Sequence, residues 1–311
     1  MMNLRKTSLP PGWYPQNRVK IEDFLEKFIN VMEKTSQSGS GDRTNNKIIG
    51  AVAPHAGWYY SGKLAAQAVS ALTSPSNQSE TVVVIGGHLP LGMPALFAME
   101  EAVFTPLGAL EIDLRLREAI MNSFIGIPGL KTAEDRYHDN TVEILLPMVK
   151  YFFPEAKLIW LRLPADIRSF EAGKTLARTA AALNRQIIVL GSTDLTHYGS
   201  NYGFSPKGYG KEALAWVKTE NDKRFINAVE SGDSTLVLER AEKEHSSCSA
   251  GAVLGVMGFA SETRAEKTPK MDSSAGKLLG YSTSADVIMD EEELLPNSFV
   301  GYGAFIWDSP E

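Results

Sequence analysis

Five histidines and one cysteine carry most of the chemistry open to these 311 residues. His55 follows the apolar run 48–52 almost at once, across Pro54. His88 follows the run 81–85 through Gly86 and Gly87. A β-rich run that stops at a histidine just before a helix is where open α/β sheets place their ligands. Two imidazoles on two strand ends need one further anionic group to hold a divalent ion, because neutral imidazole is the commonest metal ligand. The competing role for each ring is to cap backbone groups in a tight turn.

His197 lies in STDLTHYG, three residues after Asp194. On a helical turn starting at Ser192 or Asp194 the two side chains share a face. A carboxylate that orients an imidazole raises its basicity, which suits a general base or an outer partner in a metal site; the alternative is that Asp194 only caps the turn. Cys248 precedes the small apolar run 249–260, so its sulfur is expected near a helix N-terminus. That field favours thiolate, the form that binds metals and attacks electrophiles. A small buried hydrophobe is its competing role. His245 reads as a solvated member of the charged run 239–244. His138 and Glu143 are further candidate pocket groups, each with a surface or ion-pairing alternative. Trp58, Tyr59 and Tyr60, bracketed by Gly57 and Gly62, are expected to wall the pocket.

The positioning elements follow from periodicity. Strands are predicted over 81–85, 103–105, 157–163, 186–190, 278–287 and 299–307, and helices over 21–33, 63–72, 112–121, 170–183, 211–229 (in two pieces), 235–242 and 249–260. Residues 139–153 read as a helix that Pro147 must kink. The polar stretch 35–46 reads as an exposed, mobile loop and 290–293 as an acidic loop. Strands and helices alternate throughout, which predicts one α/β domain of three α/β/α layers over 1–311.

Composition narrows the function. The chain is 43% hydrophobic and 22% charged, with a net charge of −6 and no Lys/Arg block, which argues against a nucleic-acid or membrane surface. The amino-terminal stretch lacks the apolar core of a signal peptide, and no run approaches a membrane span. One cysteine excludes an intramolecular disulfide, so a cytoplasmic setting is expected. Phosphate loops, CxxC pairs, GxSxG elbows and HExxH helices are absent, which removes nucleotide binding and α/β-hydrolase chemistry.

The motifs PGWYP (11–15), APHAGWYYSG (53–62), GGH (86–88), TVEILLP (141–147), GSTDLTHYG (191–199), the isolated Cys248, YSTSAD (281–286) and VGYGAFIW (300–307) together resemble the Memo family, also known as AmmeMemoRadiSam system protein B. The resemblance implies a fold similar to LigB-type class III extradiol dioxygenases, a three-layer α/β/α domain with a central mixed sheet. It also implies a site similar to a non-haem iron centre. His55, His88 and Cys248 match the family's ligand positions, and Asp194 and His197 its acid–base pair. Two positions depart from the family pattern: Asn140 stands where a histidine is usual, and the second turn reads GGH. The resemblance implies an iron-dependent, dioxygenase-like oxidoreductase holding Fe(II), with copper or zinc as alternatives for a His/His/Cys set. It further implies a small-molecule or peptide ligand and a functional link to a radical-SAM protein and an AMMECR1-like protein. A different reading makes the pocket a non-catalytic site for anionic or phosphotyrosine peptide ligands. A third makes Cys248 and a histidine the nucleophile and base of a hydrolase or transferase.

Overall fold

The apolar runs between 47 and 192 assemble side by side. In a computed structural model, which describes residues 2–38, 47–73, 79–265, 274–292 and 295–309, the elements follow as β1 (Leu4–Arg5), α1 (Arg18–Ser38), β2 (Lys47–Ala53), α2 (Trp58–Ala71), β3 (Thr81–Leu89), β4 (Ala95–Phe97), β5 (Ala102–Val103), β6 (Leu110–Glu111), α3 (Leu114–Phe124), β7 (Thr132–Glu134), α4 (Asn140–Glu143), α5 (Leu146–Phe152), β8 (Lys157–Pro164), α6 (Arg168–Ala182), β9 (Ile187–Ser192), β10 (His197–Gly199), α7 (Lys211–Trp216), α8 (Asp222–Ser231), α9 (Ser234–Glu244), α10 (Ala250–Ala265), β11 (Lys277–Thr283), α11 (Ser284–Glu292) and β12 (Ser298–Ser309). A 3-10 turn, Ser200–Tyr202, follows β10, and a π-helical turn, Val217–Asn221, joins α7 to α8.

Nine strands form a mixed sheet in the order β10-β12-β2-β9-β3-β8-β4-β7, with β11 added on β12. Its centre, β2-β9-β3-β8, is parallel, and Ala53 pairs with Ser192 while Gly86 pairs with Arg162. Parallel alignment sends the carboxyl ends of all four strands to one edge, where ligands of open α/β sheets bind. A small sheet, β1-β5-β6, holds the amino terminus. Helices α10 and α6 cover one face of the large sheet; α2, with α1 and α5 against it, covers the other. The α/β class and the three layers expected from the sequence are present.

Residues 250–260 of α10 are apolar on every side and buried on every side, as the composition of that run suggested. It meets α6 backbone to backbone: a Cβ on Gly258 would lie 1.9 Å from the Phe170 carbonyl oxygen, and one on Gly173 2.0 Å from that of Gly255. Only glycine allows that approach. Gly258→Ala is expected to lower stability by about 1–3 kcal/mol, the usual cost of overpacking, measured by urea unfolding.

Several elements differ from expectation. Helix α2 begins at Trp58, five residues early, and carries the aromatic cluster into its first turn. The predicted strand 278–287 ends at Thr283. Asp286 accepts from the Thr283 N–H (2.8 Å) and hydroxyl (3.0 Å), while its own N–H donates back to Thr283 Oγ1 (3.3 Å). This reciprocal cap starts α11, which absorbs 290–292 of the predicted acidic loop. Helix α1 runs through Ser38 into the predicted loop 35–46, and residues 39–46 lie outside the described set. The 139–153 helix is two, α4 and α5, broken as Pro147 requires. Among the described residues no helix is long and apolar enough to cross a membrane.

Candidate metal centre

The two histidines arrive from different strands and turn toward one sulfur. His55 stands two residues past β2 and is 1% exposed. Its N–H donates to Asp194 Oδ1 (2.7 Å), and its Nδ1 lies 2.9 Å from Ser192 Oγ. With Nδ1 engaged, Nε2 is left facing Cys248 Sγ at 3.2 Å. His88 lies near the end of β3 in the left-handed region, φ +56°. A non-glycine residue there is held at a cost of about 1–2 kcal/mol by its surroundings. Here the His88 N–H donates to Ser249 Oγ (3.2 Å), and the ring Nδ1 lies 3.1 Å from Asp139 Oδ2. The two rings sit edge to face with centroids 4.8 Å apart. One nitrogen from each histidine and the cysteine sulfur all lie within 4.8 Å of one another.

The glycines before His88 make this convergence possible. A Cβ on Gly87 would lie 2.3 Å from Ser249 Cβ, and one on Gly86 2.2 Å from Thr141 Oγ1. The GGH turn is therefore a close-approach device that seats β3 against the starts of α10 and α4.

Asp139 is a site group that the sequence analysis did not single out. It caps α4, accepting from the Thr141 N–H (2.9 Å) and hydroxyl. Its other oxygen orients His88, which makes a carboxylate–histidine pair of the kind that fixes ring tautomer in metal sites. Arg162, 3% exposed, braces that carboxylate: its guanidinium reaches Asp139 Oδ2 (3.1 Å), Asp135 Oδ1 (3.3 Å) and the Gly87 carbonyl (3.0 Å). The signal available in the sequence was one arginine inside the otherwise apolar run LIWLRL (158–163).

Electrostatics follow from these contacts. Burial pushes the Cys248 thiol up, but the charges and hydrogen bonds of His55 and His88 outweigh it and hold the thiol well below its ordinary value. Burial opposes protonation of His88, yet the Asp139 carboxylate and the Cys248 thiolate raise it to about 10. Asp139 is held down at about 2, against burial, by His88 and Arg162. His55 is raised too, by Cys248 and Asp194 against its burial. Cys248 is thus favoured as a thiolate beside a His88 that favours its protonated form. Since a ligating imidazole must be neutral, a metal taken up here would be expected to release a proton from His88 rather than from Cys248. Affinity is expected to climb as pH rises from 6 toward about 10, the point at which His88 loses its proton unaided. Calorimetry of metal binding in two buffers of different ionisation enthalpy checks this; uptake with no proton release contradicts it.

The other expected site residues divide. Asp194 is 3% exposed, and its N–H donates to Cys248 Sγ (3.3 Å). Residues 193–196 are not helical, so Asp194 turns to His55 instead of sharing a face with His197. His197 opens β10, half-buried, with Nδ1 3.2 Å from the Leu195 carbonyl oxygen and its ring edge-on to Tyr202 (4.9 Å). Tyr60 lines the cavity; Tyr59 is 53% exposed outside it. Trp58 is core, packed on Tyr14 and Phe24 with Nε1 donating to the Ile144 carbonyl. Glu143 points away from the cluster and accepts from Ser8 N–H (2.8 Å), Ser8 hydroxyl, Leu9 N–H (3.0 Å) and Tyr14 hydroxyl (3.2 Å). It clamps the amino-terminal segment, whose Pro11, Gly12 and Trp13 then form a wall of the cavity. His138 is exposed on a different groove, and His245 closes α9 in a left-handed conformation. Asn140 donates to the His55 carbonyl (2.9 Å), steadying the turn from its place at the cavity wall.

The resulting cavity, about 690 Å³, opens at the carboxyl edge of the sheet, with His55, His88, Asp194 and His197 among its lining and Tyr202 and Tyr302 on its walls. Fold and site define a three-layer α/β/α protein with a His/His/Cys cluster at the sheet edge. The chain belongs to the Memo family: the family model described as Memo-like protein matches residues 5–306. A MEMO1 family protein of Pyrococcus abyssi is 28% identical over 312 residues, covering 97% of this chain and 99% of its own. One from Methanopyrus kandleri is 30% identical over 312 residues, covering 97% and 98%. A solved structure, described as an uncharacterized protein from Escherichia coli K12, overlaps 84% of this chain and 99% of its own with a TM-score of 0.46 at 12% identity.

Proposed function

We propose that His55, His88 and Cys248 hold a divalent metal, Fe(II) in the working protein, and that the chain is a non-haem iron-dependent, dioxygenase-like oxidoreductase. One observation carries this reading. Both imidazoles have Nδ1 engaged, by Ser192 and by Asp139, so that each is oriented with Nε2 toward the ionised sulfur. Such outer partners are the usual companions of metal-ligating histidines. The donor set fits Fe(II), copper or zinc. An iron ion there supplies one-electron redox chemistry and open positions for ligands.

The residues around it have separate tasks. His197, at the cavity wall with Nδ1 turned to a backbone carbonyl, presents Nε2 to a bound ligand and can take or return its proton. The Trp13, Tyr60, Tyr202 and Tyr302 walls exclude water and orient a ligand beside the cluster. A single cysteine working as a thiolate suits a reducing, cytoplasmic compartment. The anion-binding alternative would rest on His55, His88 and His197, since no Lys or Arg is among the described residues that line the cavity.

The test separates holding metal from using it. His197→Gln is expected to retain Fe(II) yet to slow oxygen consumption about 100-fold, within the usual range for a lost acid–base group. Iron-loaded wild type that consumes no oxygen with any reductant or phenolic candidate, or a His197→Gln variant as fast as wild type, counts against the oxidoreductase.

A further inference from the structure

Behind the cavity wall a second buried carboxylate, Asp222, holds the stretch of chain that carries His197. The contact from His197 Nδ1 to the Leu195 carbonyl oxygen (3.2 Å) spans a single residue, Thr196, so the backbone of Thr196 decides whether it forms. A carbonyl oxygen only accepts, so Nδ1 carries the proton and Nε2 is left as the acceptor on a ring that lines the cavity. Thr196 is fully buried and tied at every polar atom. Its N–H donates to Asp222 Oδ1 (3.0 Å), and its hydroxyl donates to the same oxygen. Asn221 Nδ2 donates to that hydroxyl (2.9 Å), and the Gly301 N–H donates to the Thr196 carbonyl (2.9 Å).

Asp222 is fully buried too and is held from its far side. The Tyr281 hydroxyl donates to Oδ2 (2.7 Å), and a Cβ on Gly301 would lie 2.0 Å from that oxygen. A π-helical turn, a form frequent at functional sites, ends at Asn221 and brings both neighbouring side chains to Thr196. Burying a carboxylate is unfavourable, and burial pushes Asp222 up to about 6 against the hydrogen bonds of Thr196 and Tyr281. Packing alone does not call for an acid there.

We propose that Asp222 is a positioning residue for His197, acting through Thr196 to fix the ring with Nδ1 protonated and Nε2 ready to accept a proton from a ligand. Where the ring is held follows from these contacts; what it does there rests on the proposed function.

Long-range proton–nitrogen correlation spectra of the full chain, held metal-free in alkaline buffer, read the imidazole tautomer and need neither iron nor turnover. His197→Gln identifies the His197 signal. Wild type is expected to show chiefly the Nδ1–H form. Asp222→Ala is expected to shift the tautomer ratio at least about fivefold toward Nε2–H, the ordinary weight of one hydrogen bond. Thr196→Val, which keeps the side chain's shape and severs it from Asp222, is expected to do the same and decides the matter if the alanine variant does not fold. Asp222→Asn keeps an oxygen for Thr196, and Tyr281→Phe loosens the carboxylate only on its far side, so both are expected to stay within about twofold of wild type. A wild-type ring mainly in the Nε2–H form overturns the assignment, as does an unchanged ratio in folded Asp222→Ala or Thr196→Val. A Tyr281→Phe shift as large as that of Asp222→Ala also overturns it, since general loosening then explains both. The expected tautomer shifts in a protein that takes up no Fe(II) remove the metal reading alone.

Discussion

Replacing Cys248 by serine is expected to weaken divalent-metal affinity by more than about 100-fold while leaving the fold in place. Losing an outer partner of a ligand already costs up to about that much, and here the proposed anionic ligand itself is lost. The sulfur is the one anionic donor of the cluster, and a serine hydroxyl cannot ionise in its place. The sulfur's structural duty, accepting the Asp194 N–H at 3.3 Å, passes to the serine oxygen. The backbone tie from the Cys248 N–H to the Asp194 carbonyl (3.2 Å) is untouched. Anaerobic titration with Fe(II) or Co(II), beside a thermal-unfolding scan, checks both halves. A variant that binds metal within about threefold of wild type contradicts a thiolate-dependent site.

Arg162→Met is expected to destabilise the protein by about 3–5 kcal/mol, the usual cost of removing one partner from a buried ion network. Asp135 and Asp139 would both lose their guanidinium in a region where Arg162 and Asp135 are nearly inaccessible. Trp160 Nε1 still donates to Asp135 (2.8 Å), and Thr141 and His88 still hold Asp139, so the network is weakened rather than emptied. Arg162→Lys is expected to recover only part of the loss, since an ammonium cannot reach two carboxylates and the Gly87 carbonyl in one planar fork. Urea unfolding measures both variants, and a loss under about 1 kcal/mol for Arg162→Met contradicts the bracing role.

The parts of the site legible in the sequence were those that needed only strand ends. His55 and His88 could be assigned to strand ends because apolar runs stop just before them. Cys248 could be assigned to a helix start because small residues follow it. That all three meet depends on β9 lying between β2 and β3, and on Gly86 and Gly87 letting α4 and α10 close in, neither of which periodicity encodes. Asp194 was expected on a helical turn with His197; residues 193–196 are not helical, and the carboxylate serves His55. Trp58 and Glu143 looked like pocket groups from their neighbours in sequence, yet tertiary packing gave one to the core and the other to the amino-terminal segment. The strand overrun at 284–287 has a local cause that was readable: Thr283 and Asp286 have the spacing of a reciprocal helix cap.

The most direct test of the metal centre is elemental analysis of protein purified anaerobically without an affinity tag, wild type beside Cys248→Ser and His55→Ala. Near-stoichiometric iron in wild type, lost in both variants that still fold, is the expected result. Wild-type protein that is metal-free as isolated and takes up no Fe(II) on incubation contradicts the assignment of His55, His88 and Cys248 as a metal site.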